Sequence, residues 1–189
     1  MNRTIIPAIL VVLSCVLSGC IVRAIYPWLS EDSKATDVSL VGTWRDIKED
    51  ETAFFTSSSK TNYNILLVSD KKDQSRFTAS LHRIDKMLLL VVGPQDRDGM
   101  GNMVLLPGYL LFRVELDGNS MRLFGLDIDS FGDRLEKGKI KRLEEGDKDK
   151  GYILFSRTEE LSSFIKSQLK DKSFFDEKPM YTFKRLAEK

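Results

Sequence analysis

The chain has 189 residues, with 29 Lys or Arg against 28 Asp or Glu, one histidine and two cysteines. A formal charge of +1 excludes the strong basic excess of a nucleic-acid footprint. The single histidine, His82, would have to serve any Ser- or Cys-based triad, and no nucleophile elbow accompanies it.

In chain order, the first nineteen residues have the parts of a secretory leader. Arg3 gives the positive start, and Ile5–Leu17 is an apolar run interrupted by Pro7. The run is shorter than the roughly 20 residues a membrane-spanning helix needs, so it reads as a signal segment. Leu17-Ser18-Gly19-Cys20 resembles the lipobox of bacterial lipoproteins, in which the chain is cut between Gly19 and Cys20 and the new terminal thiol carries a diacylglycerol. The resemblance implies a membrane anchor. With Ile21 rather than Asp next, it implies the outer membrane, facing the periplasm, if the host is diderm. One fatty chain holds a protein only marginally, whereas two or three hold it firmly. Cleavage removes Cys15 and acylation consumes Cys20, so the mature chain of about 170 residues forms no disulfide and holds no zinc. The covalent lipid on Cys20 is the one attached group expected, with no other cofactor and no metal.

Ile21–Leu29 is apolar. Its Tyr26 and Trp28 either sit at headgroup level or pack on the domain as an arm, the reading we prefer. Ser30–Ser39 is polar and reads as a tether. The expected organisation is a leader over 1–19, a lipidated cysteine and tether over 20–39, and one β-rich domain over 40–189, a size that buries a core unaided.

From Leu40 onward, short β-branched and aromatic runs follow one another. Strands are expected at Gly42–Ile47, Ala53–Ser57, Tyr63–Ser69, Arg76–Ile84, Met87–Val92, Met103–Leu106, Tyr109–Leu116, Ser120–Leu126, Tyr152–Ser156 and Tyr181–Leu186. Ser57-Ser58-Ser59, Asp70–Asp73, Gly93-Pro94 and Asp117-Gly118 punctuate them as turns. Asp117-Gly118 is the best hairpin, because glycine readily takes the positive φ of such turns. In Arg76–Ile84 the alternation puts Phe77, Ala79 and Leu81 on one face and Thr78, Ser80 and His82 on the other. Met87–Val92 lacks alternation, which predicts cover on both faces. Thr158–Lys170 carries Leu161, Phe164, Ile165 and Leu169 on one helical stripe, with Ser156 or Thr158 as cap and Glu159 and Glu160 at the positive end of the dipole. A shorter helix is expected over Ser130–Glu136, stopped by Gly138, followed by an exposed charged loop over Lys137–Lys150.

This pattern predicts a mainly β, α+β fold: an antiparallel barrel or sandwich with one long C-terminal helix and a last strand. Gly42-Thr43-Trp44 resembles the Gly-x-Trp signature of lipocalins, whose Trp closes the barrel floor under a packed arginine. The family's Thr-Asp-Tyr turn is absent, and no arginine is assignable to that place from the sequence. The runs Val41–Trp44, Leu110–Gly118, Leu123–Asp127, Ile153–Leu161 and Tyr181–Leu186 are also similar to a set of uncharacterised small bacterial lipoproteins, which implies a tethered domain and no particular activity.

Asp127 and Asp129 alternate, so both could face one way and hold calcium or act as an acid–base pair; the plainer reading is that they lead into the following helix. Asp147–Gly151 lacks the ligands of an EF-hand loop, and Gly93–Asn102 lacks the helix and Lys-Ser/Thr pair of a phosphate cradle. No catalytic residue is therefore expected. The expected function is a non-enzymatic, membrane-anchored, lipocalin-like module for an apolar or amphipathic small molecule. Trp44 would be the floor of its pocket and Phe77, Leu81 and Phe112 its lining. The alternative is an assembly lipoprotein that binds another envelope protein through a filled barrel and a free edge or apolar patch.

Overall fold

The structure is a computed structural model that describes residues 22–71, 73–95, 108–145 and 151–187. The leader, Cys20, the strand expected at Met103–Leu106, and residues 96–107 and 146–150 lie outside the described residues.

The first described element is a short strand, β1 (Val22–Ala24). Eight further strands close an antiparallel barrel: β2 (Gly42–Asp46), β3 (Thr52–Ser57), β4 (Asn62–Val68), β5 (Gln74–Ile84), β6 (Met87–Pro94), β7 (Leu110–Asp117), β8 (Ser120–Phe124) and β11 (Tyr181–Arg185). Strands β2 to β8 pair in sequence order, and β11 enters between β8 and β2. Closure leaves the barrel without an edge. Register is fixed by alternation: Trp44 lies opposite Ala53 and Arg185, and Leu81–Leu90–Phe112 form one inward-facing row. Gly118, at φ 52°, takes the first turn position between β7 and β8, as the Asp117-Gly118 pair predicts. Gly93-Pro94 is not a turn. It ends β6, where a Cβ on Gly93 would fall 2.5 Å from the Tyr109 ring.

Two cores share the barrel wall. One fills the inside, around Trp44, Phe55, Tyr63, Leu81, Leu90, Met121 and Phe183. The other covers the outer faces of β6 and β7. There Leu89, Val91 and Leu111 meet Trp28 and Leu29, the aromatic group Phe131, Phe164, Phe174 and Phe175, and two helices, α1 (Ile128–Lys137) and α2 (Thr158–Gln168). Strand β6 is thus buried on both sides, which explains its unbroken apolar run. Helix α2 buries the expected stripe, but neither Ser156 nor Thr158 caps it. The N-cap is Arg157 with no side-chain bond, and the Ser156 hydroxyl accepts from Lys141 N at 3.1 Å. Helix α1 starts earlier than expected, at the Asp127 cap. Gly138 ends it with a right-handed backbone, in a place where a Cβ would meet the Phe164 ring at 2.7 Å.

Two segments differ from the sequence reading. The charged stretch expected as a loop contains β9 (Arg142–Glu145), which pairs with β10 (Gly151–Leu154), and β10 pairs in parallel with β1. Its charges suit an edge strand, which needs only one neighbour. The stretch 30–39, expected as a tether, is laid against the barrel. Ala35 N donates to Leu81 O at 2.8 Å, Lys34 Nζ to Asn62 Oδ1 at 3.0 Å, and Thr36 Oγ1 to Lys60 O at 2.6 Å. The reason is that β4 pairs with β5 only as far as Ser80, leaving the backbone of β5 at Leu81 free on that side for this segment to bond. Ahead of them, Trp28 is fully buried and donates to Tyr109 O at 2.7 Å, while Tyr26 is exposed. The arm therefore packs on the domain, and the folded unit takes in Val22, ahead of the Leu40 boundary that composition points to.

Candidate functional site

Strands β2, β4, β6 and β8 run one way and the others run back, so the barrel has two chemically different ends. The end where β2 begins is plugged. Trp44 is fully buried, and its indole N–H donates to Leu40 O at 2.9 Å. Leu40 ends a short 3-10 turn, Val38–Leu40, that Asp37 caps. The Arg185 guanidinium lies over the indole at 4.2 Å. It donates to Val41 O at 2.8 Å and also to Ser39 O. A cation on an indole face contributes about 0.5–2 kcal/mol. Tyr63 reaches the same turn: its hydroxyl accepts from Asp37 N at 3.0 Å and donates to Asp37 O at 3.1 Å. Each of these polar groups has a partner.

The opposite end, here called the mouth, is bounded by the β2–β3 and β4–β5 turns and the start of β11. Leu67, Phe77, Leu110 and Tyr181 point inward there and are only partly buried. Alternation also turns Asp46 inward, two residues after Trp44, where it lies opposite Phe183. Asp46 is 3 % exposed. Its Oδ1 accepts from Lys48 N at 2.6 Å and Glu49 N at 2.9 Å, which shapes the β2–β3 turn. Its Oδ2 is buried with no partner, and so is Ser69 Oγ at the end of β4. Glu51 follows the turn, its carbonyl accepting from Asp46 N at 2.8 Å, which sets the two residues side by side on neighbouring strands. Burial raises the Glu51 carboxyl above the usual range, with Asp46 and Glu49 adding to the rise. Burial, then Glu51, Asp46 and Glu49, likewise raise the Tyr181 phenol. The mouth therefore combines apolar walls, a neutral phenol and closely spaced carboxylates. It can hold a proton or a cation.

Trp44, Phe77, Leu81 and Phe112 do belong to one inner cluster. Trp44 and Leu81 have no accessible surface, so no water-sized void touches them, and at their level side chains fill the barrel. Phe77 and Phe112 lie nearer the mouth. Beside them, Leu110, Phe112 and Tyr181 share a hollow of ≈ 70 Å³ with Val22, Leu126 and Met180, well below the roughly 300–1,000 Å³ of a drug-sized site. A larger hollow of ≈ 520 Å³ lies at the plugged end, between the β5–β6 turn and Leu169. It is open and lined by charges of both signs, including Arg83, Asp85, Lys86, Arg113 and Glu115.

The other expected sites have plain structural roles. Asp127 caps α1, accepting from Asp129 N at 3.3 Å and from the Ser130 hydroxyl at 2.8 Å, so this pair leads into the helix. His82 is 1 % exposed, with Nδ1 2.9 Å from Ser33 Oγ and Nε2 2.9 Å from Ser80 Oγ. It ties the segment after the arm to β5. Burial, then the Lys34 charge, lower its pKa from 6.5 to about 4, so it is neutral near pH 7.

Asp46, Glu51, Ser69 and Tyr181 were not singled out by sequence reasoning. A signal was available for Asp46, because strand parity from an inward Trp44 puts a carboxylate inside the barrel. No such signal marks Arg185 as the partner of Trp44, since the contact joins opposite ends of the domain. Comparison with family models, curated proteins and solved structures finds no match. No helix among the described residues is long and apolar enough to cross a membrane.

Proposed function

We propose that the mature chain is a lipid-anchored, non-enzymatic barrel of lipocalin-like build, held through Cys20, whose mouth takes an apolar or amphipathic small molecule. In a diderm host it would stand on the outer membrane, facing the periplasm. The lipocalin likeness is supported by a plug of Trp44 under Arg185, the pairing that the Gly-x-Trp resemblance implies, and by a last strand that follows the long helix. The observation that carries ligand binding is the pair of buried polar atoms with no partner, Asp46 Oδ2 and Ser69 Oγ, set beside apolar inner side chains at the mouth. Because Trp44 and Leu81 lie in a filled layer, the ligand would enter shallowly.

Calorimetric titration with decyl maltoside, below its micellar concentration, tests this reading. The mature domain should bind it, and Phe77→Asp at the mouth should weaken binding at least tenfold, while Leu116→Asp at the plugged end should not. Anchoring is tested by intact mass: a diacylglyceryl group on Cys20, lost together with membrane partition in Cys20→Ala.

A second reading, docking onto another envelope protein, is favoured by the β9 edge. Among the described residues β9 pairs only with β10, and Leu143 on it is 55 % exposed. If decyl maltoside fails to bind and Leu143→Lys abolishes co-purification of an envelope protein, this second reading replaces the first.

A further inference from the structure

The mouth has a charge preference that its apolar wall alone would not give. Asp46 is an inward carboxylate, 97 % buried going by its 3 % exposure, with one oxygen committed to the turn and the other unpartnered. Leaving such a group unpaired is costly, and a native structure holds few of them. Glu51 stands beside it and Glu49 is near enough to act on both Glu51 and Tyr181. Among the described residues no Lys or Arg makes an ion pair with any of the three. Lys48, in the same turn, is exposed, and Arg45 points outward to Asp50. The Tyr181 ring, stacked on Phe183 and edge-on to Phe112, borders the same space and offers a face to a cation. Apolar Leu67, Phe77 and Leu110 complete the rim.

We propose that the mouth selects an amphiphile with a cationic head, its charge set against Asp46 and Glu51 and beside Tyr181, and its tail on Leu67, Phe77 and Leu110. The proposal rests on the ligand-binding reading above and adds the chemistry of the head. Asp46 Oδ2, buried without a partner, would feel the charge through space rather than by direct contact.

The test titrates the mature domain with decyltrimethylammonium, decyl maltoside and decyl sulfate, three amphiphiles of equal tail length, and with tetramethylammonium, which has no tail. Decyltrimethylammonium should bind at least tenfold tighter than decyl maltoside, with decyl sulfate weakest and tetramethylammonium at least tenfold weaker than its decyl relative. Asp46→Asn, which keeps the Oδ1 acceptor for the turn, and Glu51→Gln should each bring the affinity for the cation down toward that of the neutral amphiphile. Equal affinity for the three decyl compounds would overturn the charge preference and leave ligand binding standing. Tetramethylammonium binding as tightly as its decyl relative would remove the tail from the account. Failure of all three decyl compounds to bind would overturn both proposals.

Discussion

The two ends of the barrel are built from the same strands and differ in how they treat polar atoms. At the plugged end, Trp44, Arg185 and Tyr63 carry polar groups into a crowded layer, and each finds a backbone partner. At the mouth, Asp46 and Ser69 each hold one buried polar atom without a partner. Incomplete apolar cover is not the distinction, since Val41, Leu88 and Leu116 toward the plugged end are also only partly buried. The comparison teaches that the two ends differ in whether their buried polar atoms are satisfied, and not in how well their apolar side chains are covered.

The comparison can be broken most forcefully at Trp44. Trp44→Ala empties a fully buried site and should cost about 3–5 kcal/mol in urea unfolding; a loss under 1 kcal/mol would mean that the plug is not a packed element. Arg185→Ala should cost less, about 2 kcal/mol, from the lost indole contact and two charged hydrogen bonds, with Arg185→Lys keeping only part of it. His82 sharpens the view of the 30–39 stretch beside that end. Its folded pKa, about 4, lies below the ordinary 6.5, so the unfolded chain takes up the proton first. Stability should therefore fall as pH drops from about 6.5 toward 4 and level off below, and His82→Gln should flatten that slope in thermal melts. At the mouth the sign reverses. Ser69→Ala removes an orphaned hydroxyl and should leave stability unchanged or raise it by up to about 1 kcal/mol; a clear loss would show that the hydroxyl has a partner after all.

Much of the barrel was legible because its signals are local. The alternation of Phe77, Ala79 and Leu81, the unbroken run of β6, the Gly118 turn and the apolar stripe of α2 each lie within a dozen residues. What escaped depends on distant partners. β1 is three residues long and exists because β10 lies beside it. The 30–39 segment looks like a tether until His82 and Asn62 supply its bonds. β9 hides in a charged stretch because an edge strand tolerates charge. The plug was half visible, its Trp at one end of the domain and its Arg at the other. The mouth was the least legible part, since a lone Asp in a strand means little until neighbouring strands reveal which side of the wall it occupies.

The position of Val22 has a consequence for reach. It is buried in β1 and lines the small hollow beside Tyr181, yet it stands two residues after Cys20, a span of at most about 7 Å of extended chain. If acyl groups sit on Cys20, the globule has no leash. It would ride against the leaflet with the Tyr181 side of its opening turned toward the lipid, unable to sweep the space beyond.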